Sequence, residues 1–411
     1  MTHRQRVLDA VNHKVPDRIP IDFWAVPEVF GQLRQALSLP DDEAVRARFD
    51  VDLRYFNGPA LKSRPPADLP EGVVQDHWGV QRQRHTVSGQ RRDGTEYSWT
   101  YGHLIRSPLA AATSVADVER HAWPTADLWD YSGVRAACQA LKDAGYCVVA
   151  GADRLDRTAQ LKPAMYLRGV ETFLTDLALE ESIAECILQH VADYYLEYNR
   201  RLFEAAGQIR GEGVSPLRRE GILPSQMLSD PETAGETPAT HKGGTPSPRS
   251  GPIDIFFMGD DMGTQASTYV SPDMYRRFFK KRLAAYCEQA HRYGMKTMYH
   301  TCGRVAPLVG DFIDAGLDIL QSLQPQAMGE ELAALKREYG RHLAFQGGID
   351  IQGVLPRGTP DEVAEHVRSR AEILGEGGGY IFGTAHNILP DTPTENILAL
   401  VEAYRRYGKY R

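Results

Sequence analysis

The stretch IDIFFMGDDMGTQASTYVSPDMYRRFFKKRLAAYCEQAHRYGMKTMYHT, residues 253–301, contains the pattern on which the fold prediction depends. It begins and ends with short runs rich in β-branched and aromatic residues, IDIFFMG and KTMYHT, which are typical of strands. Between them, Ser271-Pro272 is a helix-start signal and precedes a long helical segment. A strand, a helix and a second strand in this order predict one parallel β–α–β unit.

Further segments along the chain have the same strand-like composition. They are RIPIDFW (18–24), VDLRYF (51–56), YCVVAG (146–151), DILQSL (318–323), HLAFQGG (342–348) and GYIFGT (379–384). Helix-start signals follow at Thr359-Pro360 and at Thr392-Pro393-Thr394-Glu395, which has the pattern of a capping box. Eight strands that alternate with helices predict a single α/β domain over residues 1–411, a (β/α)8 TIM barrel. A doubly wound open sheet is the alternative, although no GxGxxG motif follows a predicted strand.

Two segments depart from this alternation. Residues 72–106 contain alternating runs around Ser88-Gly89 and Asp93-Gly94, which predict an extra β-hairpin or meander before the third strand. Residues 208–252 hold seven of the 25 prolines and few large apolar side chains, after a long helix predicted at about 179–206. Because such a stretch buries too little surface to offset its ordering entropy, it predicts a disordered surface insertion. A functional lid is the alternative.

Composition and charge exclude several functions. The chain has 47 Lys+Arg against 54 Asp+Glu, a net charge of −7, which gives no electrostatic reason to bind nucleic acid or anionic lipid. No apolar run reaches the ~20 residues that a membrane span needs, and no apolar core follows the basic N-terminal residues as in a secretory signal. Five cysteines in 411 residues do not form a disulfide framework, so a cytoplasmic location is expected.

The fifth and eighth predicted strands end in residues that ligate metals. His300 and Cys302 are two apart and therefore share one face of the strand, which at the strand end can look into the barrel mouth. His386 follows the eighth strand and is a third candidate ligand, while Asn387 could orient it or a substrate. A thiolate with imidazoles suits a catalytic Zn²⁺ that keeps one position open. A buried cysteine beside a capping histidine, and a loop histidine bonded to backbone, are the structural alternatives.

Carboxylates and an amide end two other strands. Asp260 and Asp261 follow the fourth strand and point to opposite sides if it continues, so at most one faces the mouth. That residue could bind a metal, act as a general acid or base, or orient a histidine, or it could simply cap a turn. Gln346 and Asp350, which are predicted to bind substrate, flank Gly347-Gly348, glycines that indicate either close ligand approach or a tight turn. Cys138, Cys147, Cys186 and Cys287 are predicted to fill the core.

At these motifs the chain resembles the uroporphyrinogen decarboxylase superfamily, which includes the decarboxylase of haem synthesis and the cobamide-dependent methyltransferases. The resemblance covers the chain except 208–252, and its fold is a (β/α)8 barrel. The motifs that carry it are VPDRIPIDF (15–23), YLRGVETFL (166–174), MGDDMGTQ (258–265), HTCG (300–303), FQGGID (345–350) and FGTAHNILPDTPTENI (382–397).

The decarboxylase branch is matched in part. The resemblance implies catalytic roles for Tyr166 and His386, which occupy decarboxylase-type positions. Decarboxylases also have an arginine-bearing segment after the first strand, where this chain has DFWAVPEVFGQL (22–33). They have an aspartate after the second strand, where this chain has Asn57 or Gly58, with Asp52 upstream, and Asn57 is predicted to bind substrate. A porphyrinogen with many carboxylates is bound poorly without such arginines.

The methyltransferase branch is matched better, at the zinc pair His300 and Cys302. Its third ligand is a cysteine, and this chain offers His386 there. The resemblance therefore implies zinc-dependent methyl transfer between a corrinoid, on a partner protein or as substrate, and a thiol or other small acceptor, with a homodimer as the common assembly. A uroporphyrinogen-type or other cofactor-free decarboxylase and a non-catalytic corrinoid- or porphyrin-binding protein remain alternatives.

Overall fold

The computed structural model describes residues 1–62, 69–151, 158–208, 251–329 and 331–410. Its strands are β1 (Leu53–Phe56), β2 (Ala60–Leu61), β3 (Val73–Gln75), β4 (Gln81–Gln90), β5 (Glu96–Arg106), β6 (Trp129–Asp130), β7 (Cys147–Ala150), β8 (Ile255–Asp260), β9 (Lys296–Thr301), β10 (Ile319–Ser322), β11 (Ala344–Ile349) and β12 (Tyr380–Thr384). Its α-helices are α1 (His3–Val11), α2 (Pro27–Leu37), α3 (Asp42–Arg48), α4 (Val115–Glu119), α5 (Val134–Asp143), α6 (Leu161–Arg168), α7 (Val170–Leu179), α8 (Glu181–Ala206), α9 (Pro272–Phe278), α10 (Lys280–Arg292), α11 (Val309–Asp314), α12 (Pro325–Met328), α13 (Glu331–Tyr339), α14 (Val354–Arg357), α15 (Pro360–Gly375) and α16 (Thr394–Tyr407). Among these described helices, none is long and apolar enough to cross a membrane.

A curled parallel sheet with helices around it forms the centre of the molecule. Within the described residues it has seven strands in the order β1-β7-β8-β9-β10-β11-β12. Successive side chains of a strand alternate between the inside and the outside. On β9, Met298 belongs to the interior apolar cluster, whereas Tyr299 points outward and packs against Phe312 of α11. The α/β barrel prediction is thereby confirmed. The edge strands of this sheet are β1 and β12, and the barrel is closed where these two edges are joined.

The segment predicted as the first strand, residues 18–24, joins those two edges without forming a regular strand. Ile21 pairs in parallel with Phe382 of β12, and the Asp22 N–H donates to the Phe382 carbonyl at 2.8 Å. On the other side, the Asp52 N–H donates to the Ile21 carbonyl at 2.9 Å, next to β1. Pro20 has no N–H to donate, so the ladder is reduced to isolated bridges. The segment nevertheless closes the barrel.

The extra β-hairpin predicted within 72–106 is present as the antiparallel sheet β3-β4-β5. The turn lies at Asp93-Gly94, where Gly94 has a φ of 84°, and Ser88-Gly89 lies within β4. At the hairpin tip, the Arg91 guanidinium donates to the Pro390 carbonyl at 2.6 Å, and Pro390 belongs to the loop after β12. The tip therefore contacts the loop that carries His386.

Two of the predicted helices differ from those in the structure. The helix after Ser271 is divided into α9 and α10, with Phe279 between them. Thr392 does not start a capping box, because α16 begins after Pro393, which has no side-chain acceptor. A complete capping box instead begins α15, where Thr359 and Glu362 each bond to the other's backbone N–H. The long helix predicted at 179–206 is α8.

The predicted insertion, 208–252, lies outside the described residues except at its ends. Gln208 is buried, and its side-chain amide both donates to the Ile253 carbonyl at 2.9 Å and accepts from the Ile253 N–H at 3.2 Å. The Gly251 carbonyl accepts from Lys142 at 2.9 Å. The predicted bounds are therefore too wide at both ends, because Gln208 and Gly251 are part of the packed structure.

We expect replacement of residues 209–250 by a short Gly/Ser linker to change the free energy of unfolding by no more than ~1 kcal/mol. The segment is poor in apolar residues. The residues that flank it are already close together, because the side chain of Gln208 lies against Gly251 and bonds to Ile253. Urea unfolding of the parent and the shortened chain measures the difference. Aggregation of the shortened chain, or a loss of several kcal/mol, would show that the segment packs against the barrel.

Candidate metal centre at the barrel mouth

Three metal-ligating side chains meet where β9 and β12 end. His300 is near the end of β9, Cys302 follows it, and His386 follows β12. One ligand atom from each residue lies within 4.8 Å of the other two. The Cys302 Sγ is 3.2 Å from the His300 Nε2. The centroids of the His300 and His386 imidazole rings are 5.5 Å apart. His300 is 1% exposed, while Cys302 and His386 are half-buried at the mouth.

The imidazole of His300 is held in one orientation by its neighbours. Its Nδ1 bonds to the Oε1 of Gln321, the residue opposite it on β10. Because an amide oxygen only accepts, Nδ1 carries a proton, and Nε2 faces the Cys302 Sγ and the Asp261 carboxylate. The indole of Trp24 stacks on the His300 imidazole, with ring centroids 5.8 Å apart and planes inclined by 21°. This is the arrangement of a histidine prepared to ligate a metal through Nε2.

We expect Gln321→Met to weaken zinc binding at the mouth about 10- to 100-fold, because methionine removes the acceptor that fixes the His300 tautomer. Competition with a zinc chelator measures the affinity. Ser322→Ala is the control, since the Ser322 hydroxyl touches this site only through a long contact of 3.9 Å to the Cys302 Sγ. An unchanged affinity in the Gln321 variant would show that His300 needs no orienting partner.

Of the two aspartates after β8, only Asp261 lies next to the histidine and cysteine. Its Oδ1 is 3.6 Å from the His300 Nε2, and its Oδ2 pairs with Lys162. Burial opposes ionisation of Asp261, but the neighbouring His300 and Lys162 more than offset it and keep the pKa of the carboxyl well below its usual range. Asp261 is therefore an anion in this site.

Asp260 points away from this site. Its carboxylate accepts the backbone N–H groups of Gln160, Leu161 and Lys162 at 2.7, 3.1 and 2.7 Å. It thereby caps the N-terminus of α6, the role weighed against catalysis in the sequence. Burial raises the pKa of Asp260 to about 6 despite these bonds. The catalytic role predicted for Asp260 is not supported, because its oxygens are already occupied by backbone.

The donor set matches the chemistry of a zinc site. One sulfur and two imidazole nitrogens are ligands that Zn²⁺ accepts, and three protein ligands leave a position for substrate. Burial, with Asp261 nearby, raises the pKa of the Cys302 thiol to about 12, so without a cation it stays protonated. A bound cation would be the group that ionises it. His300, Cys302 and His386 thus fit a zinc ion.

Below the mouth, a polar layer continues across the barrel. Gln346 of β11 lies opposite Gln321 and is 1% exposed. Its amide donates to the Asp22 Oδ2 at 3.0 Å, and the Tyr55 hydroxyl donates to the same oxygen at 2.5 Å. Burial raises the pKa of Asp22 to about 6. Gln346, predicted to bind substrate, is therefore a partner of Asp22 in this layer.

Tyr166 lines a separate pocket beside Asp261. The pocket is lined by Asp76, Trp78, Arg82, Lys162 and Tyr166, among others. The Arg82 guanidinium lies 4.8 Å from the centre of the Tyr166 ring and pairs with Asp76 at 2.7 Å. Lys162 connects this pocket to the metal-ligating group because it also pairs with Asp261. The cations of this pocket are thus each neutralised by an aspartate.

The other predicted substrate-binding residues have different positions. Asn57 follows β1 and is exposed, and Asn387 is half-buried beside His386. Asp350 accepts the backbone N–H groups of residues 352–354, so it caps α14 and is not free for a substrate. Gly347 is glycine because a Cβ there would lie 2.3 Å from the Ser322 carbonyl oxygen. The close approach is therefore to the neighbouring strand and not to a ligand.

Several residues of the site were missed from sequence. Gln321 and Asp22 are polar residues inside the predicted strands DILQSL and RIPIDFW, and a polar side chain in the middle of a buried strand was a usable signal. Trp24 was recognisable only as part of the segment that closes the barrel. Lys162 begins an ordinary amphipathic helix, so nothing local distinguishes it from a surface lysine.

These features define a (β/α)8-type barrel with a set of metal-ligating side chains at the carboxyl ends of its strands. Residues 254–407, somewhat more than a third of the chain, match the family model "Uroporphyrinogen decarboxylase (URO-D)". The superfamily resemblance of the sequence motifs is thereby confirmed.

Both branches of the superfamily are among the relatives. Over 138 residues the chain is 29% identical to the methylcobamide:CoM methyltransferase MtaA of Methanosarcina barkeri. Over 145 residues it is 26% identical to the uroporphyrinogen decarboxylase of Coxiella burnetii (strain Dugway 5J108-111). Each match covers 34% of this chain and 38% of the relative's length.

A solved structure, a methyltransferase from Methanosarcina mazei, superposes over 99% of both chains. The TM-score is 0.62 and the sequence identity is 17%. At this identity the likeness concerns the fold.

Proposed function

We propose that this protein catalyses zinc-dependent methyl transfer between a corrinoid, carried by a partner protein or free, and a thiol or other small acceptor. The observation that carries the proposal is the convergence of His300, Cys302 and His386, with ligand atoms within 4.8 Å of one another at the barrel mouth. The similarity to a methylcobamide:CoM methyltransferase supports this choice of reaction.

Each residue has a distinct task in this proposal. His300, Cys302 and His386 hold the metal, which when bound supplies a Lewis acid that stabilises the acceptor as a thiolate at neutral pH. Gln321 and Trp24 keep the His300 imidazole aligned. Asp261, held as an anion by Lys162, is the carboxylate placed to complete the ligand set before substrate arrives, a task that Asp260 cannot perform because it caps α6.

The third ligand distinguishes this chain from the branch that it resembles. With His386 in place of a second cysteine, the protein ligands contribute one thiolate and two neutral imidazoles. A set of this kind is within the range that zinc accepts. The nearby anion Asp261 offsets part of the resulting positive charge.

A decarboxylase of the uroporphyrinogen type is the second candidate, favoured by the match to such an enzyme and by Tyr166 and His386. The charges around Tyr166 oppose it. Arg82 pairs with Asp76 at 2.7 Å and Lys162 pairs with Asp261, so these cations are already neutralised. A substrate with several carboxylates would have to displace both aspartates. A non-catalytic corrinoid- or porphyrin-binding protein is the third candidate.

Two parallel assays test the proposal. In the first, zinc-loaded protein is mixed with methylcobalamin and a panel of small thiols, and loss of the Co–CH₃ bond is followed by absorbance. In the second, the same protein receives uroporphyrinogen, and carboxyl loss is followed by chromatography. We expect zinc-dependent demethylation that stops in His300→Ala, and no decarboxylation.

The remaining outcomes separate the candidates. Steady decarboxylation that a chelator does not affect would replace the proposal by the decarboxylase. Failure of both reactions, together with tight binding of cobalamin or porphyrin, would replace it by the binding protein. Demethylation that persists in His300→Ala would contradict the assignment of the metal centre.

A further inference from the structure

A second group of metal-ligating side chains lies on the helical surface of the barrel. It consists of Glu119 at the end of α4 and of Cys186 and His190 on α8. Cys186 was predicted to fill the core, but it is half-buried, unlike Cys138, Cys147 and Cys287, which are buried. This group shares no residue with the one at the barrel mouth.

The three side chains converge because of the helix geometry. Cys186 and His190 are four residues apart on α8 and therefore lie one turn apart on the same face. Glu119 reaches between them from α4. Its Oε1 is 3.4 Å from the Cys186 Sγ, and its Oε2 is 3.2 Å from the His190 Nε2. Ligand atoms of all three residues lie within 4.8 Å of one another.

The imidazole of His190 is also held in place. It stacks on the indole of Trp123, with ring centroids 4.4 Å apart and planes inclined by 10°. Trp123 is itself fixed, because its indole N–H donates to the Val118 carbonyl of α4 at 3.0 Å. The segment of α4 that supplies Glu119 therefore also orients His190.

We propose that Glu119, Cys186 and His190 bind a zinc-type divalent cation that links α4 to α8. Ligands bound to zinc at 2.0–2.3 Å and related by tetrahedral angles are separated by about 3.3–3.8 Å. The two contacts made by Glu119, at 3.4 and 3.2 Å, are close to that spacing. Glu119 is 56% exposed and His190 is 27% exposed, so water can occupy the fourth position.

The ligand types also select the class of metal. One sulfur, one nitrogen and one carboxylate oxygen suit zinc and its neighbours, whereas Mg²⁺ and Ca²⁺ prefer oxygen ligands alone. Because the ligands come from two elements that are far apart in sequence, the folded chain alone brings them together. A bound ion would therefore stabilise the folded state, and the stabilisation would grow with the logarithm of the ion concentration above the Kd. The site is thus a structural clamp on the segment between the hairpin and α5.

The test uses Co²⁺ and Zn²⁺ as probes in a Cys302→Ala background, where the mouth has lost its thiolate. We expect this chain to bind Co²⁺ with a sulfur-to-cobalt charge-transfer band, and to melt at a higher temperature when zinc is added. Both effects should disappear when Cys186→Ser is added, and Glu119→Gln or His190→Ala should weaken binding. Glu171→Gln changes an exposed carboxylate away from the group and should have no effect.

Other outcomes would show that Glu119, Cys186 and His190 form hydrogen bonds to one another but do not bind a metal. Absence of the charge-transfer band in the Cys302→Ala chain, or a band and a zinc-induced rise in melting temperature that survive Cys186→Ser, would overturn the proposal. If Cys302→Ala does not fold, His386→Ala combined with metal counting provides the same comparison. In that background, Cys186→Ser should remove one equivalent of tightly bound zinc, and an unchanged count would overturn the site.

Discussion

Replacing Cys302 by alanine is expected to remove the zinc at the barrel mouth and to lower methyl transfer from methylcobalamin to thiols by at least about 10²-fold. The Cys302 Sγ is the one sulfur atom of the proposed ligand set. A bound metal contributes several kcal/mol of charge stabilisation in reactions of this kind, and each 1.36 kcal/mol corresponds to a factor of ten in rate. The fold should persist, because Cys302 is half-buried at the mouth and lies outside the apolar core.

The measurement is zinc content together with turnover. Both are determined in a Cys186→Ser background, so that the second proposed site does not contribute to the zinc count. Cys138→Ala is the matched control, since Cys138 is a buried cysteine of α5. We expect zinc to fall from one equivalent to none in the Cys302 variant and to stay at one in the control. Full zinc occupancy without Cys302 would show that the ligands are assigned wrongly.

Strand geometry explains why this group could be predicted from sequence. In a parallel barrel, strand ends collect at one face, and alternate residues share a side. His300 and Cys302 satisfy both conditions, and His386 follows β12, the edge strand that residues 18–24 join to β1. The same rules limited Asp260 and Asp261 to at most one residue at the mouth. Which of the two it is depends on the N-terminus of α6, a tertiary contact that the local pattern does not contain.

The other features that the sequence did not predict also depend on contacts between segments that are far apart in the chain. Gln321 and Gln346 become neighbours through the register of β10 and β11, which a single strand does not reveal. Residues 18–24 have the composition of a strand, but Pro20 removes a ladder donor, so they close the barrel through isolated bridges. The ion-pair partner of Lys162 is Asp261, which follows β8 and lies 99 residues further along the chain.

Asp52 illustrates a polar residue whose role is structural. It precedes β1, at the end of the barrel opposite the mouth, and is fully buried. Its carboxylate accepts from His3 Nδ1 at 2.8 Å, from Arg6 and Arg18 at 2.6 Å each, and from the Ile21 N–H at 2.8 Å. It therefore joins α1, the closing segment and β1, where a polar cluster contributes to stability.

We expect Asp52→Ala to lower the free energy of unfolding by about 3–5 kcal/mol, because removing one member of a buried ion cluster leaves the others uncompensated. Urea unfolding at pH 7 measures the loss. Asp50→Asn is the control, since Asp50 also pairs with Arg18, at 2.7 Å, but is 58% exposed, and asparagine tolerates its left-handed backbone with a φ of 59°. Exposed pairs contribute about 0–1 kcal/mol. Equal losses in the two variants would contradict a special role for the buried carboxylate.

The same residue determines a pH dependence. Burial opposes ionisation of Asp52, but the hydrogen bond from His3 and the charge of Arg18 more than offset it, so its pKa lies below the ordinary value. A carboxyl with a depressed pKa stabilises the fold above its unfolded pKa of about 3.9, and this contribution is lost as pH falls through the folded value. The wild-type chain should therefore lose stability more steeply than Asp52→Asn below about pH 4. Parallel slopes for the two chains in acid unfolding would mean that the carboxylates responsible for acid sensitivity lie elsewhere.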